Sequence, residues 1–314
     1  MADAIEREDV YAKIFEINEP CWQAVTDVLK GANLPDGATV LDLGAGPAEP
    51  TATILSQLPH LRVTCTDSQA GMVEKGKLRC EKKLGAELSA RQIDFGVVSA
   101  EDLSGYADNC FDCVIGTYLL MFVDCPQTLA EVHRVLKPGG FAVFSIWLQM
   151  PFFYVNQKII DDIWAEFRAR QTADDPSVAV RCPPKIVVQP MSLSPTQYNT
   201  KGCVAQMARA AGFGRRTTTD PGEVDTTSIK IEDLGYDWHM NLDLDGLVRV
   251  SRTLLTNRIV PTMAEDLGRE PDEIHAEHAK RLRKEIEDQH PDWNRGAEWV
   301  WGRGEARIYT LKKL

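Results

Sequence analysis

The chain has 314 residues, 44% of them apolar and 26% charged, with 46 acidic against 35 basic side chains and a net charge of −11. That acidic excess repels phosphate backbones and argues against a nucleic-acid substrate. No stretch approaches the roughly 20 apolar residues a membrane helix needs, and the polar opening Met1–Val10 has no signal-peptide pattern, so a cytoplasmic protein without a membrane or nucleic-acid partner is expected.

Apolar positions at helical spacing over 5–30 (Val10, Ile14, Ile17, Trp22, Val25, Val28, Leu29) predict one or two helices broken near Pro20. After the turn Asn33–Gly37, strands and helices alternate. Strands are predicted at 39–43, 61–66, 93–98, 111–116 and 141–146, and helices at 50–58, 71–84 and 126–136, with Lys137-Pro138-Gly139-Gly140 turning into the fifth strand. This rhythm is that of a doubly wound, mostly parallel α/β sheet. It then breaks. A helix around 158–168 precedes a Pro-rich loop, a helix at 195–211 precedes a strand near 216–219, and 232–290 reads as mostly helical. Within that stretch 272–289 is a charged, exposed helix, and 306–311 is a closing strand.

Of the eight cysteines, Cys65 and Cys113 sit inside apolar runs, as buried reduced thiols do. Cys110 and Cys113 form a C-x-x-C, but no second pair or His cluster completes a zinc site, so no metal is expected. His133 reads as solvated on a charged helix face, and Asp112 receives no role.

Chemistry concentrates at the strand ends. In Val40-Leu-Asp-Leu-Gly-Ala-Gly46, Gly44 and Gly46 let the backbone turn sharply and approach a ligand at the carboxyl end of the first strand. A dinucleotide fingerprint needs glycine at 49, where Glu49 disfavours a pyrophosphate. Asp67 closes the second strand, placed to accept hydrogen bonds from ribose hydroxyls. Val98-Ser-Ala-Glu-Asp-Leu103 follows the third strand, where an adenine would lie, and Phe111-Asp-Cys-Val-Ile-Gly-Thr117 forms the fourth.

Taken in order, and with Leu129–Gly140 after them, these segments resemble the class I S-adenosylmethionine (SAM)-dependent methyltransferases. The resemblance is to the branch acting on small metabolites, which includes the quinone-biosynthesis and glycine/sarcosine enzymes. It covers about residues 36–147 and implies a Rossmann-like, seven-stranded, mostly parallel sheet with a largely helical cap, and SAM as cofactor. It also implies that Asp42, Gly44 and Gly46 surround the methionine part, and that Asp67 with Ser68 meets the ribose. Met72, Ser99, Ala100 and Glu101 would line the adenine, and Thr117 would face the methyl end. These families often carry Asp where this chain has Ser99. A nicotinamide enzyme is the competing reading of the domain; the missing third glycine and the Leu-Lys-Pro-Gly-Gly segment argue against it.

The expected layout is an N-terminal helical cover (1–35), the SAM-binding core (36–147), a cap insertion (148–190), a core helix with the sixth strand (191–229), a helical cap insertion (230–303) and a closing strand (304–314). Methyl transfer from a sulfonium is an in-line displacement. It needs positioning and water exclusion, and a general base only if the acceptor loses a proton; Tyr11 and His239 are the candidates. Late tryptophans, Trp238 and Trp299 among them, with Arg181, Arg249, Arg252 and Arg258, would suit a small zwitterion methylated on nitrogen or sulfur. Phenolic or quinone-like acceptors, methylated on oxygen or carbon, remain open, as does a SAM-binding scaffold without turnover.

Overall fold

The computed structural model describes residues 18–149, 151–174, 184, 202–214, 228–239, 244–256, 259–289 and 300–314. The chain forms two compact units: 18–149, 188–236 and 305–314 in one, and 1–17, 150–187 and 237–304 in the other.

The first unit carries a seven-stranded sheet in the order β3-β2-β1-β4-β5-β7-β6. Its strands are β1 (Thr39–Leu43), β2 (Arg62–Asp67), β3 (Ile93–Val97), β4 (Phe111–Thr117), β5 (Leu136–Gln149), β6 (Ile229–His239) and β7 (Val300–Lys312), and the unit boundary falls inside β6 and β7. β1 to β5 run parallel, with Val40 opposite Val63 and Cys113, and β7 returns antiparallel to β5 with Val143 opposite Thr310. Parallel strands covered on both faces should be apolar throughout rather than alternating. Val40, Leu41 and Leu43 of β1 and Cys113, Val114 and Ile115 of β4 are accordingly buried on both sides.

One face is filled around Val25 and Leu29 of α1 (Glu19–Gly31) and Ala52, Ile54 and Leu55 of α2 (Glu49–Gln57). α3 (Ala70–Leu84) and α4 (Ala86–Gln92) follow β2, and Gly76 of α3 lets that helix close on the backbone at Pro47, where an added Cβ would also stand 3.0 Å from that of Ala48. The other face takes Leu129 and Val132 of α5 (Cys125–Val135) and Val204 and Ala208 of α7 (Gly202–Ala210). Asp124 caps α5 by accepting from Gln127 N at 2.9 Å.

The second unit holds α6 (Pro151–Asp174), α8 (Leu244–Thr256), α9 (Ile259–Leu267) and α10 (Pro271–Gln289). It buries Ile160, Ile163 and Trp164 of α6, Leu247 and Val250 of α8, Val260 and Met263 of α9, and Ile274, Leu282 and Ile286 of α10. Arg281 of α10 forks onto the Glu166 carboxylate at 2.9 and 2.7 Å.

Several expectations change. Residues 229–239 form an edge strand, so 230–303 is not helical throughout. Ile229 and Tyr236 are buried while residues 230, 232, 233 and 235 are exposed, an alternation by twos that slips once at Asp233 and that a helix cannot satisfy. β5 starts at Leu136, so Pro138-Gly139-Gly140 lies within it. α10 buries a stripe of Ile274, His275, His278, Leu282 and Ile286 and is not merely an exposed charged helix. His133 is half-buried, its ring edge-on to Phe213 at 5.0 Å, because α7 and its C-terminal turn pack against α5. The strand near 216–219, and the parts of the predicted helices at 5–17 and 195–201, lie outside the described residues.

Candidate functional site

The carboxyl ends of β1, β2 and β4 converge through register. Asp42 lies opposite Cys65 of β2 and Ile115 of β4, which brings the loops starting at Gly44, Ser68 and Tyr118 to one sheet edge.

The loop after β1 turns through three left-handed residues: Gly44 at φ +63°, Gly46 at +54° and Ala48 at +60°. Only at Gly44 does the fold also forbid a side chain, since an added Cβ would stand 2.5 Å from Leu119 Cδ1. The turn is pinned from across the edge. Asp67 Oδ2 accepts from Gly46 N at 3.0 Å, and Oδ1 accepts from Gln69 N at 2.8 Å. Each oxygen keeps a further lone pair for a hydroxyl donor.

Asp42 is fully buried. Its Oδ2 accepts from the Thr51 hydroxyl at 2.5 Å, while Oδ1 has no partner among the described residues. Burial pushes its carboxyl up to about 7; the Thr51 hydrogen bonds oppose the shift and the nearby Asp67 charge adds to it. A buried acceptor without a donor costs on the order of 1–3 kcal/mol, and a cationic ligand group near Oδ1 would relieve it. Glu49, which reads in the sequence as a bare carboxylate beside the loop, is buried and ion-paired with Arg79 of α3.

Past β3, Ser99 is exposed, its Oγ accepting from Glu101 N at 3.2 Å, and Ala100 is buried. Glu101 Oε1 accepts from Asp124 N at 2.6 Å, and its carbonyl takes the Gln127 amide at 2.8 Å. Its carboxylate is thus tied to the N-terminus of α5. Ser68 is exposed, and Met72 in the first turn of α3 and Thr117 at the end of β4 are half-buried. Tyr11 and Trp299 lie outside the described residues. The backbone of Trp238 and His239 ends β6, where the sequence leads one to expect a helical cap, and their side chains are not described.

The sequence reading misses a buried polar cluster beside this edge. Tyr118, at φ +58°, follows Thr117 directly. Its N–H donates to the carbonyl and hydroxyl of Ser145 at 2.9 and 3.2 Å, and its phenol stands 3.5 Å from that of Tyr236, which donates to Asn18 Oδ1 at 3.2 Å. The non-glycine left-handed residue after β4 leaves no signal in composition or periodicity. Asn18 and Tyr236 lie 218 positions apart, so no local pattern pairs them. Among the described residues, no group of three or more His, Cys, Asp or Glu stands where it could hold a metal ion, and no helix is long and apolar enough to cross a membrane.

Comparison with known proteins agrees with this edge. Residues 41–144 match the methyltransferase domain family. A ubiquinone/menaquinone biosynthesis C-methyltransferase UbiE from Desulfotalea psychrophila is 36% identical over 146 residues, 46% of this chain and 55% of that protein. A malonyl-[acyl-carrier protein] O-methyltransferase from Paenibacillus sp. is 25% identical over 38% of this chain and 42% of that protein. A demethylmenaquinone methyltransferase from Symbiobacterium thermophilum is 32% identical over 37% of this chain and 48% of that protein. The chain thus spans about half the length of the curated relatives it matches. The likeness to methyltransferase domains thus falls on residues 41–144, the stretch that carries this edge, and the cofactor it implies is SAM.

Proposed function

We propose that this chain transfers a methyl group from SAM to a small, phenolic or quinol-like metabolite in the cytoplasm. The observation that carries the cofactor half is the pair of carboxylates flanking the Gly44–Ala48 turn. Asp67 fixes the turn through Gly46 N–H and keeps lone pairs for the ribose hydroxyls. Asp42 holds one buried oxygen for the ammonium of the methionine part. Gly44 and Gly46 give the close backbone approach, Ser68 adds a hydroxyl beside the ribose, and Met72, Ser99 and Ala100 line the adenine. Glu101 contributes by holding the 99–103 loop against α5. Thr117 faces the methyl end. When bound, SAM supplies a methyl group already activated on a sulfonium; the chain's residues orient the acceptor in line and exclude water.

The acceptor half rests on the relatives, two of which are named for quinone-pathway methylation. The reading of a zwitterionic acceptor leans on cap tryptophans and arginines. Of these, Arg252 is engaged with Asp272 at 2.9 Å on the helical unit, and Arg181, Arg258 and Trp299 lie outside the described residues. The test is turnover of labelled SAM against a panel of quinols, phenols, amines and thioether acids. Label entering the quinols or phenols supports the reading, and label entering only the amines or thioether acids contradicts its acceptor half.

A further inference from the structure

Because Thr117 is in register with Ser145, Tyr118 leaves the sheet at the carboxyl end of β4 beside Trp147, which stays in β5 opposite Ala306 of β7. Their rings stack at 4.5 Å with 28° between planes, and Phe122 closes the corner edge-on to Trp147 at 6.1 Å and 89°. Tyr118 is buried, while Trp147 and Phe122 are half-exposed, so the stack presents an aromatic surface backed by a fixed ring.

Two features indicate that the backing ring is held on purpose. Tyr118 sits in a left-handed conformation that costs a β-carbon-bearing residue, and such strain clusters at ligand sites. Its phenol is also anchored at the far end. Tyr236 spends its single proton on Asn18 Oδ1 and therefore accepts from Tyr118. Among the described residues, the side chains hydrogen-bonded within this cluster are neutral: the hydroxyls of Ser145, Tyr118 and Tyr236, the Asn18 amide and the Cys21 thiol. Arg307 of β7, opposite Ile146, is bonded to both oxygens of Asp233 at 2.6 and 3.1 Å. A neutral, aromatic wall suits a planar, uncharged ring more than a carboxylate or a zwitterion.

We propose that Trp147 is the acceptor platform of the methyl-transfer site, stacking a planar hydroxylated arene, with Tyr118 and Tyr236 as positioning residues that hold its backing ring. This rests on the methyltransferase reading above and names the acceptor surface within it.

The experiment is calorimetric titration of the full chain, loaded with S-adenosylhomocysteine, with 1,4-dihydroxynaphthalene under anaerobic conditions and separately with sarcosine. Wild type should bind the naphthol and prefer it to sarcosine. Trp147→Leu should weaken naphthol binding about 3- to 10-fold, the scale of a lost ring stack, with Trp147→Phe restoring most of it. Tyr236→Phe, which keeps the ring volume, should weaken it about 2- to 3-fold. In all three variants the affinity for S-adenosylhomocysteine should stay within about twofold, a split that a collapsed core would not produce. Unchanged naphthol affinity in Trp147→Leu, or a wild-type preference for sarcosine, would overturn the platform while leaving cofactor binding intact. Failure of S-adenosylhomocysteine to bind wild type would remove the underlying methyltransferase reading, and the platform with it.

Discussion

The sheet unit and the helical unit each bury a titratable group with an atom that lacks a hydrogen-bond partner among the described residues, and they do so to opposite effect. In the sheet unit it is Asp42, whose free oxygen sits at the strand edge where a ligand's positive charge would compensate it. In the helical unit it is His278 of α10, whose Nε2 has no such partner and whose neighbours His275 and Arg252 add to the positive side, with Asp272 against them. Burial first, then His275, pushes its imidazole down to about 3. A buried polar group reports function only where its surroundings leave room for the compensating charge. His278 itself lines a cavity of about 270 Å³ with Val248, Arg252, Asp272 and His275, while the free oxygen of the fully buried Asp42 lies beside the Gly44 turn at the strand edge, so the two groups differ in the charge each would accept and not in the presence of room.

The strongest way to break the comparison is Gly44→Val. A β-branched residue is strained at φ +63° and drives into Leu119. Loss of S-adenosylhomocysteine affinity by at least roughly 100-fold is expected, measured by calorimetry beside a melting curve. Retained binding would move the ligand away from this edge.

The two units should also part in their pH dependence. His278 has a folded pKa below its ordinary value, so its contribution to stability is complete above about 6.5 and is lost as pH falls from there toward 3. At pH 4.5 this amounts to about 2–3 kcal/mol. Amide protection factors in α8 and α10, taken relative to the intrinsic exchange rate at each pH, should fall between pH 7 and 4.5, and His278→Leu should flatten that fall. Asp42 has the opposite sign. Its folded pKa is raised, so its contribution favours the fold below about 3.8 and is lost as pH rises through 7. Asp42→Asn keeps an acceptor for Thr51 and removes the buried charge. It should stabilise the ligand-free protein at pH 8 by on the order of 1–3 kcal/mol while weakening SAM binding. A melting curve and a titration on the same sample check both halves.

The legibility of the two units differs for a physical reason. β1, β2 and β4 are short apolar runs closed by Asp, Gly or Thr, and such punctuation is local, so Asp42, Gly44 and Asp67 can be placed from the sequence. β6 is hidden because its alternation slips. Ile229 and Ile231 hold one face, Asp233 interrupts, and Leu234 and Tyr236 resume out of phase, which resembles helical spacing over so short a window. The tie of Glu101 to α5 is illegible because its partner, the start of that helix, lies 23 residues on. The Tyr118–Tyr236–Asn18 chain joins three distant segments and follows only from the folded sheet.

The smallest expected effect is also the most selective. Asp67→Ala removes the carboxylate that pins Gly46 and would meet the ribose, and it should cost SAM binding about 1–3 kcal/mol with the fold intact.

The central claim, that the edge formed by β1, β2 and β4 binds SAM through Asp42 and Asp67, is tested most directly by calorimetric titration of the full chain with SAM after chelator treatment, for wild type and Asp67→Ala side by side. The account predicts saturable one-to-one binding by wild type and a Kd about 5- to 150-fold higher in the variant. Absence of binding by wild type, or equal affinity in the two proteins, would contradict it.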